Sequence, residues 1–223
     1  MTTTNFRFYM KRLSIILLAL VFLYSCNDNQ SKDQQNEAQY DPAEISEFEF
    51  KTIGDVQENN TKIVNQIKVF AKGQTTSYQE LIGFQAEVQA NEEVSVEDLN
   101  FDGIPDIRLM QFLPTDESIA YFYWLYDTQS QQFVRNENLE QQVFSPSVDI
   151  ENEQLVSQWR KKDGTFGADF YEFPSPNTIS LVKQEINVPY QESMYMKTVK
   201  EMKDGVMQIV SENAYEPNTR LPM

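Results

Sequence analysis

At 223 residues with 40% hydrophobic content, the chain has the length and apolar mass for one domain with a real core, which excludes a disordered protein. Its 34 acidic against 18 basic residues give a net charge of −16, so phosphate backbones are repelled and nucleic acid is not an expected partner. No histidine occurs, which removes Ser-His-Asp and Cys-His catalysis, His-ligated zinc and imidazole acid–base chemistry. The expectation is a non-enzymatic binding protein.

The N-terminus reads Met10-Lys11-Arg12 followed by an apolar stretch from Leu13 to Tyr24 that ends at Leu23-Tyr24-Ser25-Cys26. Such a run rises only about 18 Å as a helix, short of the roughly 30 Å of a hydrocarbon core, so it reads as a signal peptide over residues 1–25. The Leu-x-Ser-Cys ending resembles the lipobox of bacterial lipoproteins, with Cys26 as the lipidated first residue of the mature chain. Tyr24 is bulkier than the residue usual at that place. The competing reading is a short N-terminal anchor with an incidental cysteine. Either way the chain is expected in a bacterial envelope; the lipoprotein reading has it lipid-anchored at the outer membrane, on its periplasmic or surface face. Residues 26–44 are polar and almost free of apolar side chains, so they read as a disordered tether. Residues 45–223 then form a single β-rich domain.

Short alternating runs begin at Phe48-Glu49-Phe50 and continue through Ile63–Phe70 and Tyr78–Phe84. Ile107–Leu113 and Ala120–Tyr126 are the most apolar pair, the second rich in the aromatic residues that favour strands. Leu155–Arg160 and Phe166–Phe173 flank Asp163-Gly164, and Met196–Met202 and Val206–Val210 flank Asp204-Gly205, each a hairpin signal. The predicted class is all-β, mainly antiparallel, a propeller-like or sandwich arrangement built from hairpins. Tyr195–Val206 also fits helical spacing at Tyr195, Val199 and Met202, a competing assignment.

Between the two halves lies Asp98-Leu99-Asn100-Phe101-Asp102-Gly103-Ile104-Pro105-Asp106, with oxygen side chains at positions 1, 3, 5 and 9 and glycine at 6. That is calcium-loop spacing. Calcium takes six to eight hard oxygens, and alternating residues of a loop turn theirs toward one centre. Asp98, Asn100 and Asp102 supply the first three ligands, Ile104 its carbonyl, and Asp106 completes the ring directly or through water. The bidentate glutamate of an EF-hand is replaced by Leu109, and a strand-like run follows, so the loop is no EF-hand. Weak affinity, about 10⁻⁵ to 10⁻³ M, and a structural role are expected. The competing reading is an Asp/Asn-rich turn joining two strands.

The run Val96–Leu109, followed by Tyr123-Trp124-Leu125-Tyr126-Asp127, Phe133-Val134-Arg135-Asn136, Leu155–Arg160 and Tyr171-Glu172-Phe173, resembles bacterial envelope proteins that carry a single D-x-N-x-D-G-x-x-D element of FG-GAP type. The resemblance covers about residues 95–186. It implies an all-β, propeller-like lipoprotein, and some members are similar to calcium-binding inhibitors or immunity proteins that act on peptidoglycan-cleaving enzymes.

Three function classes compete. An inhibitory or protein-binding lipoprotein is preferred, because a strongly acidic domain attracts basic partners, and lysozyme-like enzymes are commonly basic. A carbohydrate- or matrix-binding module would use aromatic residues, with Trp124 and Trp159 as the candidate ligand platform; their competing reading is core packing. A hydrolase would need paired carboxylates, for which Asp169, Glu172, Glu92 and Glu93 are available without a spacing that selects two of them.

Overall fold

The computed structural model describes residues 46–114 and 118–217. The expected signal peptide, the lipidation candidate Cys26 and the expected tether lie outside the described residues. What is described is almost entirely antiparallel β, and alternation within one strand explains its layering. In β7 (Tyr121–Asp127), Phe122 and Trp124 point to one face and Tyr123 and Leu125 to the other, and all four are buried. The sheet around β7 therefore has no solvent face at its centre. It runs in the order β5 (Ser95–Glu97), β6 (Asp106–Met110), β7, β8 (Gln132–Arg135).

On one side of this middle sheet packs a sheet made of β1 (Phe48–Val56), β2 (Thr61–Ala71), β3 (Gln79–Leu81) and β4 (Ala86–Gln89), in which β2 pairs with the other three. Val64, Ile67, Val69 and Val88 meet Ile107, Leu109, Phe122, Trp124 and Phe133 there, each large side chain contributing about 1.5–3 kcal/mol by leaving water. Gln79 adds a polar tie, its side-chain amide donating to the Phe133 carbonyl at 2.9 Å and accepting from the Phe133 N–H at 2.9 Å.

The opposite face buries Leu99, Tyr123 and Leu125 against Leu139 and Val143 of the helical connection and Leu155 and Tyr171 of a third sheet. That connection contains α1 (Glu137–Gln142), capped by Asn136, whose Oδ1 accepts from the Leu139 N–H at 3.1 Å. The third sheet is an uninterrupted meander: β9 (Pro146–Asp149), β10 (Gln154–Arg160), β11 (Phe166–Ser175), β12 (Thr178–Pro189), β13 (Tyr195–Lys203) and β14 (Val206–Tyr215). The sheets pack face to face and none closes on itself, so the arrangement is sandwich-like. Among the described residues no helix is long and apolar enough to cross a membrane.

Several expectations change on contact with these strands. The helical alternative for Tyr195–Val206 is wrong: residues 195–203 are a strand hydrogen-bonded on both sides, to β12 and to β14. Asp204 and Gly205 both have positive φ, 52° and 78°, the geometry of the tight hairpin their sequence announces. The strand containing Ile107 ends at Met110, and the run from Tyr78 is a strand only over Gln79–Leu81.

Candidate metal centre

The candidate loop is the connection between β5 and β6, closed by the Glu97–Asp106 pair of the ladder. Short polar side chains in such a turn reach their own backbone, and here they do so repeatedly. Asp98 accepts through Oδ1 from the Asp102 N–H at 3.2 Å and through Oδ2 from the Gly103 N–H at 2.9 Å. Asn100 Oδ1 accepts from the same Asp102 N–H at 3.2 Å, and Asp102 Oδ1 from the Ile104 N–H at 2.9 Å. Asn100 Nδ2 donates to Asp102 Oδ2 at 3.0 Å. Gly103, at φ 82°, makes the reversal that brings these oxygens together.

Asp106 is the deepest member. It is fully buried, and its oxygens accept from the Leu99 N–H at 3.1 Å and from the Tyr126 N–H of β7 at 2.8 Å. Burial pushes its carboxyl up to about 8, against those two N–H groups and with the help of Asp102 and Asp98. Burial also raises the Asp98 carboxyl; the Gly103 N–H opposes this and Asp102 adds to it. Three carboxyl groups are thus gathered at one turn, and the Asp102 charge opposes the ionisation of both Asp98 and Asp106.

The donor set fits a hard cation. Each carboxylate or amide oxygen that accepts one N–H retains a lone pair, and Asp98, Asn100 and Asp102 alternate along the loop as calcium requires. Asp106 differs from its sequence reading in having both oxygens engaged with the backbone of two elements, so it fastens the loop to β7 whatever else it does. Among the described residues no three Asp, Glu, His or Cys side chains form a metal-holding group, so a cation here would also need the Asn100 amide oxygen. That residue also reaches outward: its Nδ2 donates to the Pro176 carbonyl at 3.1 Å, in the turn between β11 and β12. Asn136 Nδ2 donates to the neighbouring Asn177 carbonyl at 3.4 Å.

The other candidates separate. Trp124 is only 2% exposed and belongs to the core between the first two sheets, so it cannot be part of a ligand platform. Trp159 is half-buried, its Nε1 without a hydrogen-bond partner among the described residues. It lines a cleft of about 530 Å³ with Phe112, Phe144, Lys161, Asp169 and Gln184. Asp169 accepts from Gln184 Nε2 at 2.8 Å and Glu172 from Gln154 Nε2 at 3.1 Å. The two acids lie three apart on β11 and face opposite sides of the sheet, so they make no catalytic pair. Glu92 and Glu93 sit in the β4–β5 connection of the other half. Sequence reasoning missed Arg108, whose guanidinium pairs with Glu97 at 2.7 Å, donates to the Pro146 carbonyl at 3.2 Å and stacks on Tyr121. It also missed Phe101, which holds φ 61° within the loop.

Against known proteins, no family model matches the chain and no curated protein matches it significantly. A solved structure does: it is described as a Xanthomonas type IV secretion system related protein, at 16% identity, covering 74% of this chain and 90% of that one, with a TM-score of 0.58. What the two share is the fold.

Proposed function

We propose that the chain is an envelope lipoprotein, anchored through Cys26, whose loop 98–106 holds calcium and whose folded domain binds a basic protein as an inhibitor or immunity protein of a cell-wall hydrolase. The observation that carries the calcium part is the gathering of Asp98, Asn100 and Asp102 around one turn, beside a buried Asp106 whose neighbours oppose its charge. A bound calcium ion would supply positive charge there and freeze the loop. The residues themselves do the rest: Asn100 ties the loop to the third sheet, and Asp106 ties it to β7.

The partner part is supported by a net charge of −16, which steers basic proteins toward the domain, and by a fold shared with a secretion-related protein. A carbohydrate-binding reading is favoured by one feature, the Trp159 cleft with its hydrogen-bonded Asp169–Gln184 pair. The two separate in a gel overlay of envelope hydrolases on peptidoglycan. Added full chain should weaken lytic bands of basic proteins, less so as salt rises, since screening acts over about 8 Å at 0.15 M. Lytic bands unchanged at saturating chain would sink the inhibitor reading. Retention on peptidoglycan that is lost in Trp159→Ala would support the carbohydrate one.

A further inference from the structure

Phe101 is the one aromatic residue inside the candidate calcium loop, and two properties set it apart. A bulky side chain at φ 61° is disfavoured by contact between Cβ and its own carbonyl, so this position suits glycine or asparagine better. The ring is nevertheless only partly buried, so core packing does not fully account for it. It meets Phe173 edge-on, with centroids 6.3 Å apart.

A cleft opens on either side of this ring. One, of about 390 Å³, is walled by Asn100, Phe101, Asn152, Glu153, Glu172 and Phe173, so its formal charges are the two carboxylates, set beside two aromatic rings. The other, of about 410 Å³, adds Asp98, Pro146, Val148 and the exposed Ile150 to Phe101; its Glu97 is paired with Arg108 at 2.7 Å, and both oxygens of its Asp98 accept from N–H groups of the loop itself. One side therefore suits a cation and the other an apolar group. An aromatic anchor between a charged and an apolar recess has the anatomy of a binding hot spot.

We infer that Phe101 is the anchor of the surface that receives the basic partner. An Arg or Lys of that partner enters between Glu153, Glu172 and the two phenylalanine rings, and a neighbouring apolar side chain enters beside Pro146, Val148 and Ile150. This rests on the protein-binding reading above and adds where that binding occurs. Charge complementarity selects the occupant: a guanidinium or ammonium gains from both carboxylates and from the ring faces, whereas an anion gains from neither.

The test uses the full chain with calcium present and N-acetyl-arginine amide as probe, with the isosteric but uncharged N-acetyl-citrulline amide as control, followed by NMR. Arginine-specific shifts clustered at Phe101, Asn152, Glu153 and Phe173 are expected; shifts elsewhere, or none, would overturn the inference. In parallel, Phe101→Gly and Phe101→Asn should still fold cooperatively, because relief of the positive φ offsets the lost Phe173 contact, yet lose about tenfold or more in suppression of lytic activity. Variants that suppress it as well as wild type would overturn the inference and leave the inhibitor reading standing. A wild-type chain that suppresses nothing would remove that reading, and the arginine map would still decide the surface.

Discussion

Trp124 and Trp159 carry the same side chain into different surroundings, and backbone register explains why. Trp124 sits opposite Ile107 and Arg135 at the centre of a sheet covered on both sides, so its indole is packed by Phe84 and Phe122. Trp159 stands opposite Gly167 near the end of β10, and its ring lies across that glycine. A Cβ at position 167 would fall 2.5 Å from the Trp159 Cζ2 and 2.3 Å from the Glu185 carbonyl oxygen. Gly167→Ala should therefore destabilise the domain by about 1–3 kcal/mol, the usual cost of overpacking, read as a lower midpoint in urea unfolding. An unchanged midpoint would mean that the Trp159 ring is not held there. The aromatic run Tyr121–Tyr126 was legible as a strand. Which of its faces forms the core was not, because both do, and burial on two sides erases the contrast that periodicity depends on.

Elements were legible where alternation runs unbroken and were missed where it slips. In β12, Ile179 and Leu181 share a face, but the register shifts opposite Phe170–Tyr171, and beyond it Gln184, Ile186 and Val188 take over that face. A bulge of this kind moves the apolar set by one residue, so the longest strand of the sheet carries no continuous period. The six-residue α1 is too short to show a helical stripe; its one sequence signal is the cap at Asn136. Asn136→Ala should cost about 1 kcal/mol in urea unfolding, since it removes the cap and the bond to Asn177 together; no loss would show that neither bond supports the connection. On the outer strands, Glu185 lies between Lys183 at 2.6 Å and Lys197 at 2.7 Å. Burial alone would raise its carboxyl, yet hydrogen bonds from the two lysines outweigh burial and hold it below the usual range. A depressed folded-state value means stability that is present above the unfolded carboxylate value of about 4.5 and lost as pH falls through the lower, folded one. The melting-temperature gap between wild type and Glu185→Gln should therefore be widest near neutrality and close as pH drops below about 4. A gap that does not change with pH would contradict this.

At the scale of the molecule, loop 98–106 is where the middle sheet is fastened to its neighbour. Asp106 holds the loop to β7, Asn100 holds it to the β11–β12 turn, and Phe101 meets Phe173 of β11. The spacing of its oxygens was legible in the sequence. Its reach into the third sheet was not, because residues 98–106 and 173–177 are joined only by the tertiary fold. If the loop holds calcium, the ion consolidates this junction and with it the whole domain, by RT ln(1 + [L]/Kd), about 2.7 kcal/mol at a hundredfold excess over Kd. The most direct measurement is calorimetric unfolding of the full chain in millimolar calcium and in chelator, for wild type, Asp98→Ala and Asp102→Ala. Calcium should raise the wild-type melting temperature and leave both variants unmoved; wild type melting at the same temperature in calcium and in chelator would show that the loop is a turn and not a calcium site.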